Sequence, residues 1–145
     1  MAPGDLHEVA SARLVGADQR YTRARRALVD ALAAADAPLS LPQLLERAPD
    51  LAQSSAYRNL VVLERAGVVH RIVTADDFAR YELAEDLTGH HHHLICTECG
   101  DVRDFTMPSA LEADLDRALT DVAAEHGFVA DHHRLDLVGR CASCR

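Results

Sequence analysis

The sequence predicts an α+β chain in two parts, a helical N-terminal half closed by a β-hairpin and a C-terminal α/β half. Three observations carry that reading. Apolar residues recur at helical spacing from residue 6 to residue 63. Two short β-prone runs follow, at 68–73 and 80–83. Beyond residue 90, short strand-like runs flank one long amphipathic stretch. Hydrophobic residues make up 48% of the 145, enough for a core, but aromatics are 4% and Trp is absent. The core must therefore be mostly Leu, Val and Ala. Two small domains of such content are each marginal alone, so a metal staple or a dimer interface would help.

Taken in order, residues 6–15 form a short amphipathic helix. Thr22 caps a second helix, which runs through Leu28 and Leu32 to about Ala35 before Ala37-Pro38 breaks it. Ser40 caps a third, with Pro42 tolerated in its first turn, Leu44 and Leu45 inward, and Pro49 at its end. Ser54 or Ser55 caps a fourth, in which Ala56, Leu60 and Leu63 share one face and Gly67 stops the helix. The two β-prone runs then pair through a turn at Thr74-Ala75-Asp76-Asp77. Short capped helices followed directly by a hairpin are the layout of a winged helix-turn-helix, here residues 1–83. Residues 84–89 are polar and read as a hinge. In 90–145, strands at 90–96, 101–105 and 134–138 surround a helix at 108–126. That helix carries Leu111, Leu115, Leu119 and Val122 on one stripe and ends at Gly127.

Charge and missing motifs narrow the function classes. The net charge is −8, but it is unevenly placed. Residues 1–80 hold 10 Arg against 10 acids, and residues 81–145 hold 5 Arg against 13. The N-terminal half is thus free of the excess negative charge that would repel nucleic acid. No apolar run is long enough to span a membrane, and the N-terminus lacks an apolar signal core, so a cytoplasmic protein is expected. There is no His-Glu-x-x-His, no deaminase-type His-x-Glu with Pro-Cys-x-x-Cys, no Gly-rich phosphate loop and no nucleophile elbow, so no enzyme is expected.

Metal ligands are the strongest signal. Cys96-Thr-Glu-Cys99-Gly100 and Cys141-Ala-Ser-Cys144 are two Cys-x-x-Cys pairs. Two residues between thiolates let both sulfurs of a tight turn face one ion, and two such turns complete a closed, structural Zn2+ site. The 41 residues between the pairs require a helix and a strand to bring them together. The run His90-His91-His92-His93 is interior and leads into Leu94-Ile95-Cys96, unlike an affinity tag. In an extended strand, His90 and His92 face one way, and His91 and His93 the other. One strand then offers two ligands to each of two sites. Candidates to complete them are His70, Glu82, Glu85, Asp86, Asp104, Glu112, His132 and His133. Each of these taken alone reads more simply as a surface carboxylate or a satisfied imidazole.

The fourth helix offers a second chemistry. With Ala56, Leu60 and Leu63 inward, Tyr57 and Arg58 lie outward, and Ser54, Ser55 and Asn59 sit within reach of phosphates or bases. Arg20, Arg23, Arg25 and Arg26 form a basic cluster suited to phosphate. The plainer reading of this face is a solvated helix.

These residues, taken in order, resemble the ferric uptake regulator family of bacterial metalloregulators from about Arg20 to Cys144. The resemblance rests on Tyr21-Thr-x-x-Arg25, the Ser-x-Ala-Tyr57-Arg58 helix, His90-His-His-His-Leu-Ile-Cys96-x-x-Cys99-Gly100, His-His133-Arg-Leu-x-Leu-x-Gly139, and Cys141-x-x-Cys144. It implies a homodimer with an N-terminal winged-helix DNA-binding domain and a C-terminal α/β dimerisation domain, which binds a double-stranded DNA operator when metal-loaded and represses transcription. It implies a structural Zn2+ on Cys96, Cys99, Cys141 and Cys144. A regulatory site between the domains is expected on His70, Glu82, Asp86, His91 and His93, with Asp104 as an alternative ligand. A further site falls on His90, His92, Glu112 and His133. DNA contacts fall on Arg25, Ser54, Ser55, Tyr57, Arg58 and Asn59.

The chain also departs from the family pattern. The loop before the third helix, where iron and peroxide sensors place a His, reads Ala37-Pro38-Leu39. His70 stands on the wing instead, and no Cys occupies the hinge. Four adjacent His with His70 look like the zinc-uptake branch, while Asp104 and His132-His133-Arg-Leu look like the peroxide sensors. The expectation is a repressor of zinc-uptake genes with Zn2+ also at the regulatory site. An iron- or peroxide-sensing repressor using Fe2+ or Mn2+ is the alternative, and a zinc-stapled interaction module without DNA binding is the remote one.

Overall fold

Thr22 and Ser40 start the helices they were expected to cap, and the N-terminal architecture grows from those two points. The structure, a computed structural model, describes residues 3–74 and 79–145. Thr22 Oγ1 accepts from the Arg25 N–H at 3.3 Å and opens α2 (Arg23–Ala33). Ser40 and Gln43 form a reciprocal capping box that opens α3 (Leu41–Arg47), with Pro42 in the first turn. Ahead of them, α1 (Pro3–Gly16) is fastened to α2 through His7, which hydrogen-bonds both Tyr21 (2.6 Å) and Asp30 (2.8 Å).

The fourth helix, α4 (Gln53–Arg65), begins earlier than expected. Its cap is Ala52, with no side-chain bond, so neither Ser54 nor Ser55 is the cap. Both serines lie inside the first turn, where Ser55 instead receives the Asn59 side-chain amide four residues on. Ala56, Leu60 and Leu63 of α4 are fully buried, as the spacing required. They join Leu14 of α1, Leu28 and Val29 of α2 and Leu44 of α3 in one aliphatic core. Gly67 takes φ +76° and turns the chain out of α4.

The wing consists of β2 (Val69–Val73) and β3 (Ala79–Leu83), paired antiparallel with His70 opposite Glu82. The expected turn at 75–77 lies outside the described residues. A two-residue strand, β1 (Leu39–Ser40), was not foreseen and adds to the other edge of β3, giving the order β1-β3-β2. The segment 84–89 is not a plain polar linker. It holds α5 (Glu85–Thr88), whose Leu87 is 5% exposed and belongs to the N-terminal core.

The C-terminal half is a second three-stranded sheet with one long helix. The strands β4 (His92–Cys96), β5 (Val102–Phe105) and β6 (Asp136–Gly139) lie in the order β5-β4-β6, with β4/β5 antiparallel and β4/β6 parallel. The helix α6 (Ser109–Glu125) supplies the crossover between β5 and β6. It buries none of its residues within the chain. Leu111 and Val122 on its apolar stripe are each 51% exposed, and Phe128, Val129, Leu137 and Val138 are exposed beyond it. An apolar surface of this kind is what a protein–protein interface leaves on a single copy. Among the described residues, no helix is long and apolar enough to cross a membrane.

Candidate metal centres and nucleic-acid interface

Strand β4 sits in the middle of the C-terminal sheet and contributes a side chain, His92, His93 or Cys96, to each of three clusters of metal-ligating residues. Among the described residues these are Cys96/Cys99/Cys141/Cys144, His90/His92/Glu112/His133 and Glu82/His91/His93/Asp104, each with its donor atoms within 4.8 Å of one another.

The cysteine cluster joins the end of β4 to the chain just past β6. The parallel pairing places Cys96 opposite Gly139, two residues before Cys141. Gly100 takes φ +73° and closes the first Cys-x-x-Cys turn, with its N–H bonded to the Cys96 carbonyl (3.1 Å). Cys99 and Cys141 sulfurs stand 3.8 Å apart, and all four cysteines are free thiols. A tetrahedron with metal–sulfur bonds of about 2.3 Å has edges of about 3.8 Å, so the set fits a zinc-sized ion. Backbone N–H groups of Cys99 and Cys141 stabilise the Cys96 thiolate and pull that group down to about 6. Cys144, crowded by the Cys141 and Cys99 sulfurs, is pushed up to about 12. Gathering four thiols in one place thus keeps at least one protonated until a cation compensates the charge.

Alternation through 90–93, a segment that enters β4 only at His92, separates the histidines into two pairs. His90 and His92 meet α6, where His90 Nε2 lies 3.1 Å from Glu112 Oε2 and His92 contacts Glu112 Oε1. His133, from the segment leading into β6, closes the group with Nε2 3.6 Å from Glu112 Oε2. His92 Nδ1 and His133 Nε2 are buried without a hydrogen-bond partner. The His133 orphan faces the Glu112 carboxylate, and a buried imidazole nitrogen so placed suits a metal ion better than it suits a dry core. Asp116 holds His133 from behind, Oδ1 lying 3.2 Å from Nδ1. It had not been singled out, although its place four residues after Glu112 puts it on the same face of α6.

The third cluster joins the two halves. Glu82 of β3 lies 2.9 Å from His91 Nε2 and 3.1 Å from His93 Nε2. Asp104 comes from β5, directly opposite His93, with its oxygens 3.6 Å from His93 and 3.9 Å from His91. Burial works against ionisation of Glu82, but bonds from His70, His93 and His91 outweigh it and hold the carboxyl far below its usual range. Burial likewise works against charging His91 and His93, and Glu82 and Asp104 nevertheless raise both above the ordinary imidazole value. Asp104 is itself raised, first by burial and then by Glu82. The site is thus a pocket of crowded acids and edge-to-face imidazoles whose charge a divalent cation would neutralise.

The expected members of this site divide. His70 is beside it, with Nδ1 3.4 Å from Glu82 Oε1, but stands outside the four converging donors. Asp86 is elsewhere, paired with Arg13 of α1 (3.3 Å, with a second, closer contact), which also donates to the Gly67 carbonyl at 2.6 Å. Asp104, the alternative, takes the place given to Asp86. The reason is geometric: α5 turns Asp86 back toward α1, while strand register places Asp104 against His93. Asp136 of β6 pairs with His93 on its other side, Oδ1 3.4 Å from Nδ1. Nothing local in the sequence marks Asp136, because the parallel β4/β6 register spans 43 residues. His132 joins none of the three clusters, although it lines the 660 Å³ cleft that reaches His90 and His133 of the second and Glu82, His91 and His93 of the third.

On the N-terminal half, Tyr57 is 53% exposed on the outer face of α4, beside exposed Ser54 and Arg58. Arg25 and Asn59 are occupied with each other: Arg25 Nε donates to Asn59 Oδ1 at 3.0 Å and its Nη1 to the Arg20 carbonyl at 2.6 Å. Asn59 also donates to the Ser55 carbonyl at 3.0 Å. These two residues brace α4 on α2, leaving Ser54, Tyr57 and Arg58 as the outward groups. Arg20, Arg23 and Arg26 are exposed nearby.

A profile of the ferric uptake regulator family matches residues 16–138. The chain belongs to the ferric uptake regulator family. The ferric uptake regulation protein of Campylobacter jejuni is 34% identical over 131 residues, covering 86% of this chain and 79% of its own length. The peroxide operon regulator of Bacillus subtilis is 32% identical over 96 residues, 66% of this chain and 61% of its own length. Among solved structures, the Helicobacter pylori ferric uptake regulator, described with three functional metal binding sites, superposes with a TM-score of 0.76. The superposition covers 99% of this chain and 94% of that one at 21% identity, a likeness of fold alone. A zinc-bound manganese uptake regulator superposes at 0.64 with 31% identity, over 94% of this chain and 98% of that one. Members of the ferric uptake regulator family are metal-binding, DNA-binding dimeric transcription regulators and not enzymes. In this member, as in the family, a DNA-binding domain precedes a dimerisation domain.

Proposed function

We propose that this regulator is a metal-dependent repressor of metal-uptake genes that reads its metal at Glu82, His91, His93 and Asp104. The observation that carries the reading is the origin of these donors: Glu82 stands on the wing of the DNA-binding domain, and the other three stand in the C-terminal domain. A divalent ion held by all four would cross-link the domains and compensate the charge of the two acids. Because the set is complete only when the domains are closed, binding favours the closed arrangement. In a dimer built on the exposed stripe of α6, closure fixes the spacing of the two α4 helices at about one DNA turn, roughly 34–36 Å. Tyr57 and Arg58 then face base edges, and the exposed arginines around α2 face phosphates. The cysteine cluster fits a structural Zn2+ that ties β4 to the segment after β6.

Zinc is the first reading for the sensed metal, because four converging nitrogen and oxygen donors match its preferred coordination number. Iron or manganese is the second reading, and a specific observation favours it. No thiolate enters the interdomain cluster, two of its four donors are carboxylates, and His70 lies close enough to offer a fifth. The iron and peroxide regulators among the relatives support that second reading, while the manganese uptake regulator is zinc-bound. The test is the metal content of protein purified from rich medium, paired with the metal that restores operator binding after chelation. About two zinc per chain with zinc-only rescue supports the first reading. Rescue by iron or manganese alone, lost on exposure to peroxide, supports the peroxide-sensing version of the second. Rescue by no metal overturns the proposal.

A further inference from the structure

We infer that Glu85 couples the second cluster, His90/His92/Glu112/His133, to closure of the domains, so that filling this cluster strengthens metal binding at the interdomain site. The inference rests on the metal-sensing reading above and deepens it. All four donors of the second cluster lie in the C-terminal half, so nothing in the cluster itself reports where the DNA-binding domain is. The connection is one hydrogen bond beyond it. Glu85 Oε1 lies 2.5 Å from His90 Nδ1, while the other ring nitrogen, Nε2, faces Glu112 at 3.1 Å. The same Glu85 oxygen accepts from the His91 N–H at 3.4 Å, the first residue of the pair that serves the interdomain site.

Glu85 moves with the DNA-binding domain. It opens α5, whose Leu87 is buried in the N-terminal core and whose Asp86 is held by Arg13 of α1. The Ala84 N–H, just before it, bonds to the Val68 carbonyl. His90 faces α6 of the other domain. The Glu85–His90 bond therefore forms across the domain boundary and exists only in the closed arrangement, in parallel with Glu82–His91/His93.

A ligating imidazole donates its second N–H to a carboxylate or carbonyl, which fixes its tautomer and orientation. When His90 gives Nε2 to a cation beside Glu112, its proton is confined to Nδ1, where Glu85 accepts it. The closed state thus favours metal at the second cluster, and by reciprocity metal at the second cluster favours closure. Glu85 is a positioning residue and binds no metal itself.

The test is a double-mutant cycle on the full-length homodimer, with its cysteine sites left filled with zinc. Co2+ is titrated as a chromophoric probe, and its affinity at the interdomain cluster is read in wild type, Glu85→Ala, Glu112→Ala and the double variant. The expected result is that each single change weakens Co2+ there about tenfold, within the usual range of outer-sphere and coupling effects. The double variant is expected to lose no more than either single, and Glu85→Gln, which keeps the acceptor, to fall between Glu85→Ala and wild type. Should Glu112→Ala not fold, Glu112→Gln takes its place in the cycle. Additive losses, or a Glu85→Ala affinity equal to wild type, overturn the inference. If wild-type protein binds no Co2+ at the interdomain cluster, the metal-sensing reading fails first and this inference with it.

Discussion

Glu82 and His93 sit on different domains, yet their side chains meet, Oε1 3.1 Å from Nε2. Each is also held from its own side. Glu82 has His70 opposite it in the wing, and His93 lies between Asp104 and Asp136 in the C-terminal sheet. The contact between the domains is therefore made by groups that are already oriented, so little ordering is left to oppose an ion that binds there.

Asp104 and His70 separate the two readings of the sensed metal. Asp104→Asn is expected to weaken metal at the interdomain site by at least the 10–100-fold that outer-sphere changes typically cost. His70→Ala should leave zinc affinity within about threefold if four donors suffice. For a metal that recruits a fifth ligand, it should weaken binding about as much as Asp104→Asn does. Competition against a chromophoric chelator measures both.

The metal-free protein should hold its domains together best at mildly acidic pH. Glu82 is lowered in the folded state, so its contribution is present above its unfolded value near about 4.3 and lost as pH falls through the folded one. His91 and His93 are raised, so theirs is complete below about 6.5 and lost as pH rises through their folded values. The window of closest association is thus about pH 4.5–6.5 without metal. Metal binding must displace the imidazole protons, so metal affinity should rise with pH across the same histidines. Small-angle scattering of metal-free protein against pH, and metal titrations at pH 6 and 8, check the two halves of this expectation.

Removing the cysteine-bound metal should loosen the C-terminal half. A strong chelator is expected to cause a large loss of thermal stability and to expose four titratable thiols per chain, and Cys96→Ser to cause a similar loss of stability with three thiols left. Zinc released should match thiols gained at one to four. Unchanged melting after complete zinc loss would show that β4, β6 and α6 hold without it.

The apolar stripe of α6 should be where two copies meet. Leu119→Asp is expected to convert a dimer to a monomer in sedimentation analysis, with helical content largely retained because Leu119 is exposed in the single chain. A dimer of wild-type strength would place the interface elsewhere.

Arg58→Ala should cost about 1–3 kcal/mol in operator affinity, roughly 5–150-fold, and relax specificity at one base position. Asn59→Ala should act differently. Its amide braces Arg25 and Ser55, so the change should lower the stability of the N-terminal domain as well as binding. Urea unfolding beside fluorescence-anisotropy titrations distinguishes the two.

Periodic and spaced features were legible in the sequence, and features fixed by long-range register were not. Capping by Thr22 and Ser40, the inward face of α4 and the two Cys-x-x-Cys turns are local, and each was placed from neighbouring residues alone. The strand alternation that splits His90/His92 from His91/His93 needed only period two. The partners of those histidines needed the fold. Asp104 and Asp86 were both acidic and both close in sequence, and only the β4/β5 register and the backward turn of α5 decide between them. The buried role of Leu87 was hidden by the polarity of its neighbours, so the hinge read as a linker when it is a short helix sealed onto the N-terminal core. Ser54 and Ser55 were reasonable caps by type, but the cap is Ala52, two and three residues earlier, and the helix starts at Gln53.

The most direct measurement of the central claim is operator affinity with and without metal, for wild type and Glu82→Ala, on a duplex selected from random DNA by the metal-loaded protein. Metal is expected to tighten wild-type binding by on the order of 100-fold, the upper part of the range for coupled sites, and to leave Glu82→Ala at its metal-free affinity. A Glu82→Ala protein that tightens on DNA as much as wild type when metal is added would contradict the account, because the domains would then close without Glu82, the donor of the four-ligand set that stands on the DNA-binding domain.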